Sequence, residues 1–452
     1  IMKRTSTFLA CAAALVLAAC TSESQLPEPT GKGGVRGINA IPGSPTVLFR
    51  IEERALGNLK YKNSSSPRLY DDFEYNFNFD IINPVDNEPQ RIASVAQKVT
   101  KDFEYVFVVT GDLANPTVTT WETPQRQWDG SETVFEARFA HLAESLGNVD
   151  VYFYEESGPA PVQGEQVASL SFGDVMDITD FAEGNYRSLV TAAGDITTVY
   201  HDSIAGIFGA QTAHLISIFD GNANDTSPYI LWSMSSNGVQ QRLPDAAYAP
   251  TIRFVHGAAT LPAVDIYNDE ALTNRVRSNL GLGETSADID TVREEVTWYF
   301  TPVDSTATVL FSQTIPSAPP STPTDLYLTG TTDAWLGINL SQDRASQETL
   351  AQMSLYHSAI EAETLDMYIV ERGESIADDA FPSLSLINYG VPSSTTGLQA
   401  GSYDVYVTEL FTKTVVGGPY ELDVALGDVV FLLAYDDELN PGSVIIEDVS
   451  VP

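Results

Sequence analysis

Three times in this sequence a histidine stands nine residues before an Asp-x-Tyr: His141 with Asp150 and Tyr152, His256 with Asp265 and Tyr267, and His357 with Asp366 and Tyr368. A carboxylate that orients an imidazole is half of a general-base site, so the pairing invites a catalytic reading. Strand parity argues against it. Phe254 and His256 fall on one face of their strand, as do Phe139 and His141. In the following strand Val264 and Ile266 would face inward and Asp265 outward. Three copies per chain also suit a packing requirement better than three active sites. The expected roles are a buried His closing the first strand of a repeated unit and an Asp bonding the backbone amides of loops.

Other chemistry finds little footing. Neither Gly-x-Ser-x-Gly nor His-Glu-x-x-His occurs, and no residue is assigned a catalytic role. His201 and His214, the remaining histidines, have no zinc-site spacing with His141, and packing roles are expected. Asp220 to Asp225 begins like a calcium loop but has Asp225 where the turn Gly belongs and Leu231 where the bidentate Glu should fall, so it reads as a polar hairpin turn. Asp378-Asp379 and Asp436-Asp437-Glu438 are read as solvated acidic loops with at most weak affinity for Ca2+. No metal site and no cofactor is expected.

The elements that must position these groups are strands. Period-two alternation runs through Val149 to Tyr154, Thr297 to Phe300 and Tyr403 to Val407, and no long capped amphipathic helix is found. A fourth, worn copy of the motif is read upstream by aligning Leu48-Phe49-Arg50-Ile51 with Arg138-Phe139-Ala140-His141, which puts Ile51 at the His position and Lys60 at the Asp position. Offsets between units are then 90, 115 and 101 residues, the size of whole domains. Units of that length with short alternating runs and frequent turn residues indicate four tandem Ig-like antiparallel β-sandwich modules, roughly seven strands each, in an all-β chain.

The expected division is 46–131 for a divergent first module, then 132–245, 246–346 and 347–452. Each module is expected to end in a strand, a small polar turn and a last strand. The Pro-rich run 316–323 is read as an exposed loop between two strands.

Arg-Phe-Val-His at 253–256, Pro-Ala-Val-Asp-Ile-Tyr at 262–267, Tyr389-Gly390, and Gly401-Ser402-Tyr403-Asp404-Val405-Tyr406-Val407 together resemble the bacterial domain-of-unknown-function 4397 family. The resemblance is fullest in module four and weakest in module one. It implies a β-sandwich of the cell envelope or surface and no mechanism.

Lys3-Arg4 precede an apolar run from Phe8 to Ala19, a secretory signal segment too short to span a bilayer. It ends in Leu17-Ala18-Ala19-Cys20, which resembles a bacterial lipobox, so residues 1–19 are read as a cleaved signal peptide and Cys20 as the lipidated residue. Several acyl chains anchor firmly, at about 0.8 kcal/mol per buried methylene. Residues 20–45, rich in Pro and Gly, are read as the lipidated Cys and a flexible tether. Cys11 falls inside the signal segment, so the mature chain has one Cys and no disulfide.

The chain carries 23 basic and 61 acidic residues, a net −38, and loss of Lys3 and Arg4 with the signal peptide takes it to −40. Such a surface repels phosphate backbones, so nucleic acid is excluded as a partner. The expected function is that of an outer-membrane lipoprotein, facing the periplasm or the cell surface, that binds or adheres without catalysis. Its expected partners are the membrane, through the lipid anchor, and a glycan, a matrix polymer or another envelope protein. A structural spacer and an extracellular polymer hydrolase are the alternatives.

Overall fold

A computed structural model describes residues 28–84 and 86–450. The signal segment and Cys20 lie outside the described residues. The described residues are all-β, with eight sheets paired into four two-sheet modules.

One topology serves all four. The first strand of each module is Lys32–Asn39, Val134–Leu142, Thr251–His256 and Ala351–His357 in turn. The second strand, Val47–Ile51, Val149–Glu155, Val264–Tyr267 and Leu365–Glu371, crosses to the opposite sheet. The closing hairpin returns to the first strand's sheet, which we call the lead sheet. In module one that hairpin is Phe103–Thr110 with Thr117–Pro124, and in module four Val429–Asp436 with Val444–Asp448. Modules one, three and four have eight strands, and module two adds the short strands Gly206–Phe208 and Gln240–Leu243. Module connections run over residues 125–133, 244–250 and 341–350.

Two expectations are corrected here. The sandwiches are not purely antiparallel: the first strand pairs in parallel with the first strand of the closing hairpin in every module, for example Phe254 with Leu326 and Leu355 with Leu432. Splitting the intervening strands over two sheets brings the chain back beside its start in the same direction. The tether read up to residue 45 ends earlier, because Lys32–Asn39 is an inner strand of the module-one lead sheet. Its glycines are there for close approach. A Cβ on Gly37 would lie 2.8 Å from the Phe49 ring, and one on Gly33 2.5 Å from the Thr100 carbonyl.

The first strands are buried on both faces, with every residue of Thr251–His256 and Ala351–His357 buried. Alternation explains how. Phe254 faces its own sandwich with Val264, Ile266 and Trp298, whereas Val255 and Tyr327 pack with Tyr356, Phe431, Leu433 and Tyr435 of module four. Tyr327 and Tyr356 stack at 4.0 Å between centroids. Modules one and two repeat the arrangement, with Ile38, Val106 and Val108 against Ala140, Leu142, Leu215 and Phe219. Lead sheets therefore pack on each other in two module pairs, and the outward positions of these strands are covered by the neighbouring module.

The pairs also touch. Arg242 donates to the Ser321 carbonyl at 2.7 Å, Asn224 to Asp343 at 2.7 Å, and Lys60 meets Asp343 at 3.0 Å. Glu348 N–H donates to the Gly43 carbonyl at 2.7 Å. The Pro-rich run is a connection between strands as expected, but its end is not exposed: Pro320 and Ser321 are buried at the junction with module two, where Ser321 Oγ donates to the Asp245 carbonyl at 3.0 Å.

Candidate functional site

Each repeated His sits where the chain leaves its lead sheet for the second sheet. There the backbone must turn inside the core, and its polar groups need partners. His141 Nδ1 accepts the N–H of Ala143 at 3.3 Å, and its Nε2 lies 2.9 Å from the Gly147 carbonyl. His357 repeats this with Ala359 at 3.3 Å and the Glu363 carbonyl at 2.7 Å. An Nδ1 that accepts leaves the proton on Nε2, so both rings are neutral Nε2–H tautomers spanning their crossing loops. His256 is looser, with Nε2 3.3 Å from the Pro262 carbonyl and, among the described residues, no partner on Nδ1. All three side chains are fully buried. Burial pulls each imidazole below its ordinary pKa, and the loop carbonyl bonds oppose it only in part.

The Asp residues serve a different part of the module. Asp150 accepts Ser169 Oγ and, at 2.8 Å, Gly194 N–H. Asp265 accepts Asn279 N–H at 2.9 Å, Asp304 N–H at 3.0 Å and Arg275 Nη1 at 2.8 Å. Asp366 accepts Ser385 Oγ, Leu386 N–H at 3.2 Å and Phe411 N–H at 2.9 Å. In each of these three modules one oxygen holds the third strand and the other holds the turn of the next hairpin, with Arg275 of the third strand also on the second oxygen of Asp265. The amides so held share a backbone feature. Gly194, Asn279, Asp304, Leu386 and Phe411 all have φ between +49° and +78°, which is unfavourable for the four that are not glycine. For Asp265, burial would raise the pKa, but the Asn279, Arg275 and Asp304 hydrogen bonds outweigh it and the carboxylate is held below its ordinary range.

His and Asp of one module thus belong to separate hydrogen-bond sets, and among the described residues no hydrogen bond joins them. Tyr152, Tyr267 and Tyr368 are buried beside the Asp. His201, also buried, lies 3.0 Å from the Tyr229 and Leu243 carbonyls and 3.6 Å from Asp245. His214 bonds Thr212 and Ser233 hydroxyls at 2.9 Å. Asp225 of the polar hairpin turn pairs with Lys62 and Arg242, and Asp436 accepts Ile360 and Glu361 amides at 2.7 and 2.9 Å. Among the described residues no cluster of three or more His, Cys, Asp or Glu side chains is arranged to hold a metal.

The worn copy is corrected. Leu48 to Ile51 belong to the second strand of module one, so Ile51 does not stand at the His position nor Lys60 at the Asp position. The His position is Asn39, which ends the first strand. Its Oδ1 accepts Ile41 N–H at 3.0 Å and its Nδ2 donates to Ser44 Oγ at 2.8 Å and the Leu59 carbonyl at 3.1 Å. Nine residues on, Leu48 stands where the other modules have Asp. The offsets become 102, 115 and 101 residues. The signal was in the sequence: Arg36 precedes Asn39 by three residues as Arg138 precedes His141 and Arg253 precedes His256.

Residues 33–152 match the family described as "Domain of unknown function (DUF4397)". The match covers module one and runs into the second strand of module two, ending at Tyr152, whereas the sequence resemblance is fullest in module four. No curated protein matches the chain. Among solved structures, one titled "The Bacillus anthracis TIE protein" aligns at 8% identity over 93% of this chain and 69% of that one. Its TM-score of 0.16 is too low to support any inference.

Proposed function

We propose that this chain is a lipoprotein, acylated on Cys20 after removal of residues 1–19, whose four Ig-like modules form a non-catalytic binding body on the outer membrane. In this reading the repeated His and Asp residues are fold staples, and ligand contact falls to loops that differ from module to module. The observation that carries it is the commitment of those side chains. Both His141 and His357 use both ring nitrogens on their own crossing loop, and each Asp spends its two oxygens on the third strand and the next hairpin turn. Loops freed of scaffold duty and carried on rigid sandwiches are where binding residues concentrate. The acidic surface favours a partner that is neither nucleic acid nor anionic headgroup, and a glycan, matrix polymer or envelope protein fits.

Fractionation tests the anchor and shaving the display. Wild type should sediment with the outer membrane and Cys20→Ala should be soluble in the periplasm. Protease added to intact cells should cut an exposed chain, and full protection there would remove adhesion from the reading. Turnover of an envelope polysaccharide by the soluble chain, abolished by one substitution, would replace binding with hydrolysis.

A further inference from the structure

Three residues before the His position the first strands carry Arg36, Arg138, Arg253 and Ser354. This side chain faces the partner module rather than its own core. Arg253 is fully buried there and bidentate to Asp325 at 2.8 and 3.0 Å, with Val449 O of module four at 2.9 Å. Asp325 stands directly across from it in the parallel register. Arg36 meets Glu104 at 3.2 Å and reaches the Met234 and Ser235 carbonyls of module two. Arg138 is different. Across from it stands Leu215, and among the described residues its guanidinium bonds the Thr123 hydroxyl while its Nε, like that of Arg242, is buried without an acceptor. No carboxylate lies within 4.0 Å of it among the described residues, and Glu104 and Asp177 act only through space.

Arg138 lines a cavity of about 270 Å³ between modules one and two, walled by Trp128, Pro124 and Ile178. That is far more than a single water needs, at about 30 Å³ of liquid. Its ionisable lining is Arg36, Arg126 and Arg138 against Glu104 and Glu136, with His214 pushed down to about 4 by burial and by Arg36. Glu104 is spent on Arg36, and Glu136 on Arg126, which also holds Glu132 and Asp180. Arg36, Arg126 and Arg138 thus stand against Glu104, Glu132, Glu136 and Asp180, and of the three guanidiniums Arg138 is the one without a carboxylate partner. A buried donor without an acceptor is costly, and a guanidinium is shaped for a carboxylate.

We propose that this cavity binds a small carboxylate ligand of sugar-acid size, whose carboxylate pairs with the Arg138 guanidinium from the cavity side. This rests on reading the chain as a binding protein and names the ligand class of one site. Binding elsewhere with none here would sink the site and leave that reading standing.

The test is calorimetric titration of the mature chain with sodium glucuronate, glucose, sodium sulfate and a short oligogalacturonate. Glucuronate should bind about tenfold or more tighter than glucose, the effect expected of one charge-assisted bond. Arg138→Met should abolish the difference. Leu215→Asp, which installs the module-three carboxylate while keeping Arg138, should do the same, with folding of each variant checked by circular dichroism. An oligomer that binds at least as well as the monomer points to a polymer terminus, and a weaker one to a free sugar acid; both support the site. Equal binding of glucose and glucuronate, preference for sulfate, or unchanged binding in a folded Arg138→Met would overturn the proposal. The wild-type comparison decides even where a variant fails to fold.

Discussion

Asn39 Oδ1 accepts the N–H of Ile41 at 3.0 Å, the same i to i+2 bond that His141 Nδ1 makes with Ala143 and His357 Nδ1 with Ala359. Module one therefore makes with an amide the bond that modules two and four make with an imidazole, while His256 keeps only the bond to its loop carbonyl. What the position supplies is a donor for one loop carbonyl and, in three of the four modules, an acceptor for one loop amide. Neither function needs a proton that can be transferred.

Substitution at His357 follows from this. His357→Ala removes both bonds in a buried site and should lower the stability of module four by about 2–4 kcal/mol. His357→Asn should recover a good part of that loss. Hydrogen exchange of module-four amides in the mature chain measures both, and an Asn variant no better than Ala would count against the equivalence.

The held turns give a second expectation. Phe411 is largely exposed at φ +58°, with Asp366 on its amide. Phe411→Gly should be neutral or raise stability by up to about 1 kcal/mol, because glycine adopts this conformation freely. Asp366→Ala, leaving two amides and the Ser385 hydroxyl without their acceptor, should cost about 2–3 kcal/mol. Melting temperatures of the two variants should move in opposite directions or, at the least, only the second should fall.

Acid should weaken the fold in two windows. Burial holds the three motif imidazoles below the ordinary 6.5, so the unfolded chain binds protons that the folded chain refuses. Their contribution is complete above about pH 6.5 and is lost as pH falls from there towards the folded values. Asp265, held low in the fold, contributes above the ordinary carboxylate value of 3.8 and loses its contribution below it. Denaturation at stepped pH should show the first decline shrink in a His141→Asn, His357→Asn double variant while the second persists.

Sequence reading reached the sandwich modules and the repeated polar groups because both write themselves in period two and fixed spacing. It stopped where a residue's environment came from elsewhere in the chain. Val255, Ala140 and Tyr356 have outward parity, and only the neighbouring module buries them. Gly33, Gly34 and Gly37 have tether composition, and only pairing with the distant strands Arg68–Asp71 and Phe103–Thr110 makes them a strand. Asn39 kept the geometry of the motif but not its letter. Arg138 could not be singled out at all, since its lack of a carboxylate is visible only against the pairing of Arg253 with Asp325.

Pairing of modules makes its own expectation. Tyr356→Ala removes one half of the Tyr327 stack and should cost about 3–5 kcal/mol in the junction. Small-angle scattering should then report a longer chain as modules three and four separate, and unchanged dimensions with a wild-type melt would contradict the packing.

The separation of His from Asp is tested most directly by a double-mutant cycle on His256→Ala and Asp265→Ala in the mature chain, read by hydrogen exchange of module-three peptides in urea. Two fold staples in separate hydrogen-bond sets should each cost about 1–3 kcal/mol and add to within about 0.5 kcal/mol. Coupling well above 1 kcal/mol would mean that the pair works as one dyad. No loss from either change would mean that the repeated groups are kept for chemistry or ligand contact rather than for the fold.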